Sequence, residues 1–308
     1  MTTPSRPACR AAFTIVELLV VITIIIVIGG LSIGAVFTLR ESQVKNSAET
    51  TVQKLAGAFD QQWKAVLDQA YDETVPDFAM RLANNDRRRA RVIFLKARLR
   101  QEFPVNFTQA KQAIVFAAIG GGGLPAQPTY AQALANVTTD PPWSSAAMLY
   151  MILKSGRRGM AAGSPETLVG ESGIQTGVVN GQTFPYFVDP WGNPVRLFTF
   201  PTGNLEIDAP PYFTPIAASP GQGRDVQDPE DTLMSAAWPA VLRNNFQLVI
   251  HALPPAGQPA HHLMPVIASS GKDGLWGVDP ITMAVTDADQ ASDNIYSYRL
   301  RRAGQRGD

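Results

Sequence analysis

The residue with the clearest chemical role near the start of the chain is Glu17, the one charged side chain between Phe13 and Leu39. Glu17 follows Phe13 by four residues, so in a helix both lie on one face, a turn apart. Cleavage between Ala12 and Phe13 would create an α-amine within reach of this carboxylate, or of the carboxylate of a neighbouring helix. An acid inside an apolar membrane segment costs about 3 kcal/mol and is usually functional. The spacing therefore favours a contact between subunits over a carboxylate that only reaches the headgroups.

Other residues that resemble catalytic motifs do not form a catalytic set. Ser269 and Lys272 fit Ser-x-x-Lys, and Ser292 begins Ser-Asp-Asn. However, Gly271 and Gly274 predict a turn where that serine must open a helix, and no Lys-Thr-Gly follows. The three His lack the spacing of a zinc-protease helix, and a single Cys excludes a multi-cysteine metal site. We therefore expect that the protein is not an enzyme.

The composition sets limits on the class of protein. The chain has 308 residues, of which 45% are hydrophobic, so it can form a sizeable core. Its 26 basic residues balance 26 acidic residues. A net charge of zero argues against a protein that coats nucleic acid by bulk electrostatics.

The element that positions Glu17 is a long helix. Residues 18–39 are 22 uncharged positions, which as a helix reach roughly 33 Å and match a bilayer core of about 30 Å. After Leu39 an amphipathic stripe continues to about Asp72 at helical spacing. Its members are Val44, Ala48, Val52, Leu55, Phe59, Trp63, Val66 and Ala70. We expect one helix from Phe13 to about Asp72, with its second half packed on a globular domain.

The stretch Arg10-Ala11-Ala12-Phe13-Thr14-Ile15-Val16-Glu17-Leu18-Leu19-Val20-Val21 resembles the prepilin leader and methylation site of type IV pilins and type II secretion pseudopilins. The resemblance implies cleavage before Phe13 by a prepilin peptidase, N-methylation of Phe13, and an assembly role for Glu17. Ala12 departs from the family pattern, which usually has Gly there.

This resemblance implies an α+β, pilin-like fold with a long N-terminal helix packed on an antiparallel β-sheet domain. The expected segments are a leader (1–12), the transmembrane or assembly half of the helix (13–39), its amphipathic half (40–72) and an extracytoplasmic globular domain (73–308). The implied location is a bacterial inner membrane, spanned once, with the domain in the periplasm. The implied partners are prepilin peptidase, other pilins or pseudopilins, and an inner-membrane assembly platform.

A basic segment lies between Arg81 and Glu102, with eight basic residues and two acidic residues. It predicts a basic amphipathic helix that ends near Pro104. The run of Arg87, Arg88 and Arg89 raises the hypothesis of DNA or anionic lipid binding, but a solvated face or a subunit contact is the favoured interpretation. No nucleic acid is therefore expected as a partner. The following Gly120–Gly123 predicts a loop or hinge.

The C-terminal part predicts strands separated by tight turns. A strand, turn and strand are expected from Phe184 to Phe200, with further strands at Phe246–Ala252, Leu263–Ala268 and Ile295–Leu300, and a short helix through Ala146–Ile152. Asp-Pro-Trp-Gly-Asn-Pro and the loops after it are similar to the major pseudopilin, whose C-terminal loop holds calcium. The resemblance makes Asp273 and Asp293 candidate calcium ligands, with Asp287 and Asp289 nearby. No other cofactor is expected.

Three functions are compatible with these patterns. The first is a structural subunit of a type II secretion pseudopilus or of a type IV pilus-like filament. The second is a single-pass membrane-anchored enzyme or binding protein whose anchor stays uncleaved, for which Glu17 would be dispensable. The third is a DNA-uptake pilin, which rests on the basic segment alone.

Overall fold

The structure is a computed structural model that describes residues 15–156, 164–207, 225–252 and 264–304. The side chains of residues 28–38 and 301–304 lie outside this description. The chain divides into two units, residues 1–46 and residues 47–308.

Groups of helices and groups of short antiparallel strands follow one another along the described chain. The helices are α1 (Ile15–Asp72), α2 (Asp77–Leu82), α3 (Arg87–Glu102), α4 (Phe107–Lys111), α5 (Pro128–Ala133), α6 (Ser144–Lys154), α7 (Glu166–Val169), α8 (Ala240–His251) and α9 (Ser297–Gly304). The strands are β1 (Ile114–Phe116), β2 (Gly122–Leu124), β3 (Ile174–Val179), β4 (Gln182–Phe187), β5 (Arg196–Phe198), β6 (Val266–Ser269) and β7 (Ile295–Tyr296). The strands pair as β1-β2, β3-β4 and β5-β6-β7, all antiparallel. The predicted α+β class is confirmed, and its strands are divided among three small sheets.

Helix α1 has the end that the sequence predicts. It runs to Asp72 and stops before Pro76, which cannot donate a backbone N–H to an extended helix. The predicted first residues, Phe13 and Thr14, lie outside the described residues. Within the part of the chain that the structure describes, no helix is both long enough and apolar enough to cross a membrane. The predicted membrane segment, 13–39, includes positions outside that part.

The amphipathic stripe of α1 forms the centre of the core of the second unit. Its members in this unit are at most 7% exposed: Ala48, Val52, Leu55, Phe59, Trp63, Val66 and Ala70. The rings of Phe59 and Trp63 lie 4.9 and 5.2 Å from the ring of Phe103, the residue after α3. The predicted packing of the second half of α1 on a globular domain is therefore confirmed.

The predicted helix through Ala146–Ile152 is confirmed as α6, which packs on two of the sheets. Trp143, just before α6, stacks on Tyr186 of β4 with ring centroids 5.2 Å apart. Gly177 of β3 makes this packing feasible, because a Cβ there would lie 2.4 Å from the Trp143 ring. On the other side, the Ser145 hydroxyl accepts a hydrogen bond from the Leu197 N–H of β5.

Two strand predictions are wrong in the C-terminal part. Of the predicted strand Phe246–Ala252, all but the C-cap residue Ala252 lies in α8, where Phe246 and Ile250 are buried four residues apart, on one helical face. A short apolar run does not distinguish a strand from a helix, and Pro239 at the N-cap of α8 suits a helix start.

The last predicted strand, Ile295–Leu300, is correct only for Ile295 and Tyr296. At the next position the Ser297 hydroxyl accepts the Ile267 N–H, which takes the place of a backbone ladder bond, and α9 begins. The predicted strand Leu263–Ala268 is confirmed as β6 from Val266 onward.

The predicted glycine loop is partly a strand. Gly122 and Gly123 belong to β2, opposite Phe116 and Val115 of β1. A Cβ on Gly123 would lie 1.7 Å from the Ile114 carbonyl oxygen, so the close approach of these strands requires glycine.

Candidate functional site

The described part of the predicted assembly site is the first half of α1. Glu17 lies in the first turn of the helix and is exposed. Ala12 and Phe13, the predicted cleavage point, lie outside the described residues. The pairing of Glu17 with a Phe13 amine therefore stays a prediction.

The side chains around Glu17 form a continuous exposed apolar surface. They are between 46% and 84% exposed: Ile15, Val16, Leu18, Leu19, Val20, Val21, Ile22, Ile24, Ile25, Ile26 and Val27. The hydroxyl of Thr23 donates to the Leu19 carbonyl at 2.8 Å, so it is satisfied within the helix. An exposed apolar surface of this extent is typical of an interaction site.

The basic residues 87–89 are placed in three different environments at the start of α3. Arg87 is exposed, and Arg88 forms an exposed ion pair with Glu230. Arg89 is buried, where its Nε and Nη1 donate to the carbonyl oxygens of Thr232 and Ala83, both at 2.9 Å. Two of the three arginines named in the DNA hypothesis, Arg87 and Arg88, are therefore exposed, and the third is buried.

Most other cations of the basic segment are used inside the fold. Arg91 donates to the carbonyl oxygens of Ala70 and Glu73, which satisfies acceptors at the end of α1. Arg98 pairs with the carboxylates of Glu73 and Glu102. Burial lowers the pKa of Arg100 to about 10. The amphipathic helix predicted here is confirmed, and its positive charge is largely committed to intramolecular contacts.

A segment that we call the strap, residues 225–238, supplies partners for three of these cations, Arg88, Arg89 and Lys96. Lys96 is fully buried, and its Nζ lies 2.5 Å from Asp225 Oδ2. Trp238, 1% exposed, lies under the Arg89 guanidinium, and its Nε1 donates to the Leu82 carbonyl at 2.8 Å. The pairing of Lys96 with Asp225 is not evident from the sequence, because the two residues are 129 positions apart and nothing local marks them as partners.

Asp273 and Asp293, the candidate calcium ligands, do come together. Asp293 Oδ2 accepts hydrogen bonds from the backbone N–H groups of Lys272 (2.8 Å) and Asp273 (3.3 Å). Asp273 Oδ1 accepts from the Leu275 N–H at 2.8 Å. Both carboxylates thus order the turn at Gly271, whose φ of +70° and contact with Asp293 leave no room for a Cβ.

The other two acids suggested for the calcium site belong to a neighbouring turn. Asp287 Oδ1 accepts from the N–H groups of Asp289 and Gln290. Among the described residues, no three His, Cys, Asp or Glu side chains are grouped closely enough to hold a metal ion. Near the turn at Gly271, the buried oxygens Ser270 Oγ and Asn294 Oδ1 have no hydrogen-bond partner in the described chain. Calcium needs six to eight oxygens, so a calcium ion at Asp273 and Asp293 stays a prediction.

Asp189 is the organising residue of the turn between β4 and β5. Its Oδ1 accepts from the N–H groups of Trp191 and Asn193, both at 2.9 Å, and its Oδ2 accepts from the Ser269 hydroxyl at 2.6 Å. Burial raises the pKa of this carboxyl above its ordinary value, although these hydrogen bonds act in the opposite direction. The predicted strand, turn and strand are confirmed here, with Val188 and Pro194 paired across the turn.

His251 is a second buried group whose environment the sequence did not indicate. It ends α8, between the rings of Phe200 and Phe246, and neither ring nitrogen has a hydrogen-bond partner in the described chain. Burial lowers its pKa well below the ordinary value, and the nearby cations of Lys96 and Arg100 act in the same direction. The imidazole is therefore neutral and serves as part of the core.

Comparisons with known proteins give no match: no family model fits the chain, and no curated protein or solved structure is significantly similar to it.

Proposed function

We propose that this protein is a structural subunit of a type II secretion pseudopilus or type IV pilus-like filament. In this proposal prepilin peptidase cleaves between Ala12 and Phe13, and the subunit assembles through α1. The pilin-like form of the α+β fold is part of the proposal, because its support is the motif around Phe13 and Glu17 together with a core-packed second half of α1.

The observation that carries the proposal is the exposed apolar surface of α1 from Ile15 to Val27, which holds a single carboxylate, Glu17. In water such a surface is unfavourable at roughly 25 cal/mol per Å² of apolar area, so it requires lipid or neighbouring helices. A plain membrane anchor has no need of an acid that costs about 3 kcal/mol in lipid. A carboxylate that pairs with the Phe13 amine of an adjacent subunit accounts for both features.

The second unit then has a scaffolding role outside the inner membrane. The apolar stripe of α1 between residues 48 and 70 is held in its core. The proposed partners are prepilin peptidase, other pilins or pseudopilins, and an inner-membrane assembly platform. The described domain has no arrangement that we assign to catalysis, and the proposal needs none.

Substitution of Glu17 tests this role. We expect Glu17→Ala and Glu17→Gln to remain in the membrane at wild-type amounts but to be lost from sheared filaments, because neither side chain offers a charge to the amine. Thr23→Ala is the matched control, since it removes a polar group from the same helix that is already bonded internally. The measurement is the ratio of sheared to membrane-bound protein. Incorporation of Glu17→Ala at the wild-type ratio would favour the membrane-anchored enzyme or binding protein instead.

A further inference from the structure

A groove of about 380 Å³ lies where the end of α1, the start of α3 and the strap meet. We call it the α3 groove, and its walls combine apolar side chains such as Tyr71 and Val92 with three cations and two acids: Arg87, Arg88, Arg91, Asp228 and Glu230. Arg87 has no ion-pair partner among the described residues. The partner of Arg88, Glu230, is 54% exposed, so this pair is screened by solvent and exchangeable. The groove thus offers apolar walls, one arginine without an ion-pair partner in the described chain, and a second arginine whose exposed partner Glu230 an incoming carboxylate can replace.

A second surface of the same unit has the opposite charge. It is the acidic loop, residues 286–293, in which Asp287, Asp289 and Asp293 are exposed and form no ion pair with Lys or Arg in the described chain. The loop is held in place, since the N–H groups of Thr286 and Asp287 donate to the Gly277 carbonyl at 2.9 and 3.0 Å. Ala288, between two of these acids, is also exposed. Asp287 and Asp293 each accept backbone N–H groups through one carboxylate oxygen, so these two carboxylates are held at fixed positions.

We propose that the α3 groove of one subunit receives the acidic loop of a second copy of this chain. This inference rests on the proposed function and names one of its subunit contacts. The chain has no net charge, yet it carries a patch of each sign in which Arg87 and the three loop acids form no ion pair among the described residues, and such patches attract each other between copies. Because the groove and the loop are different surfaces, the contact is head-to-tail, and a head-to-tail contact whose rotation does not close a ring propagates along a filament.

A stable complex buries about 1,000 Å² or more of surface, so the α3 groove by itself is too small to form the whole interface. In this arrangement the apolar surface of α1 supplies most of the packing. The charged contact determines which subunits are adjacent and makes their register sensitive to salt.

Disulfide trapping between two full-length variants tests the contact. Tyr71→Cys places a thiol in the groove, and Ala288→Cys places one at the tip of the loop, and neither change removes a charge. The two variants carry different tags and a Cys9→Ser background, and they are co-expressed with prepilin peptidase and oxidised in membranes and in sheared filaments. The control pairs Ala288→Cys with Gln61→Cys, an exposed neutral residue roughly 15 Å earlier along α1.

We expect a 71–288 heterodimer that is absent from the control pair and is lost as salt is raised. Adding Arg88→Glu to the groove variant should abolish the heterodimer, and adding Asp289→Lys to the loop variant should restore it. Equal trapping in the control pair, or trapping that ignores Arg88→Glu, would overturn the inference. No 71–288 product in processed, assembled filaments would overturn it while leaving the proposed function intact, whereas uncleaved subunits would overturn the proposed function itself.

Discussion

Loss of the Asp225 carboxylate should destabilise the protein more than any loss of a surface charge. Asp225→Asn leaves the Lys96 ammonium, which is 0% exposed, without its anionic partner at 2.5 Å. Breaking a buried ion pair from one side costs about 3–5 kcal/mol, because a charge stays buried and uncompensated. We expect the lower end of that range, since Gln227 Oε1 at 3.4 Å and the Phe200 ring, 5.5 Å from Nζ, still face the ammonium.

The assay is urea unfolding of the full chain in detergent, followed by tryptophan fluorescence. With an m-value of about 3 kcal/mol/M, the loss lowers the urea midpoint by about 1 M. Glu230→Gln is the control, because it breaks the exposed pair with Arg88 and should cost less than about 1 kcal/mol. Combining Lys96→Met with Asp225→Leu should recover most of the stability, since it removes both charges. Equal midpoints for Asp225→Asn and Glu230→Gln would refute the argument.

Two further predictions concern the turns of the C-terminal part. Burial raises the pKa of Asp189, so the folded chain binds the proton of this carboxyl more tightly than the unfolded chain does. The protonated carboxyl therefore stabilises the fold at acidic pH, and this contribution is lost as the pH rises through the raised pKa. The melting temperature of Asp189→Asn should therefore vary less between about pH 4 and pH 7 than that of the wild type. If Asp273 and Asp293 bind calcium, about 1 mM calcium should raise the melting temperature of the wild type but not the melting temperature of Asp293→Asn. If the melting temperature of the wild type does not change, Asp293 acts only as a turn cap.

The sequence predicted long periodic elements well. The stripe from Ala48 to Ala70 follows a helical period over six turns, so its buried face in α1 was evident before packing was known. The segment Phe246–Ala252 was too short for its period to be judged, and Pro239 was the signal that favoured a helix. Local signals also identified the turn at Asp189, where an Asp and a later Asn commonly bond the backbone.

The environments that depend on distant partners could not be predicted. The burial of Lys96 follows from Asp225 and that of Arg89 from Trp238, and both partners belong to the strap. A run of basic residues does not reveal whether its charge is neutralised by acids of the same chain or by an external polyanion. For the same reason the sequence placed Asp273 and Asp293 together by resemblance but did not show that their oxygens bond the backbone.

Intact-mass spectrometry of the membrane-extracted protein, with and without co-expressed prepilin peptidase, tests the central claim most directly. Active peptidase should yield a chain that begins at Phe13 and is heavier by one methyl group. A chain that still begins at Met1 beside an active peptidase would contradict it, and an uncleaved anchor on an enzyme or binding protein would then be the better explanation.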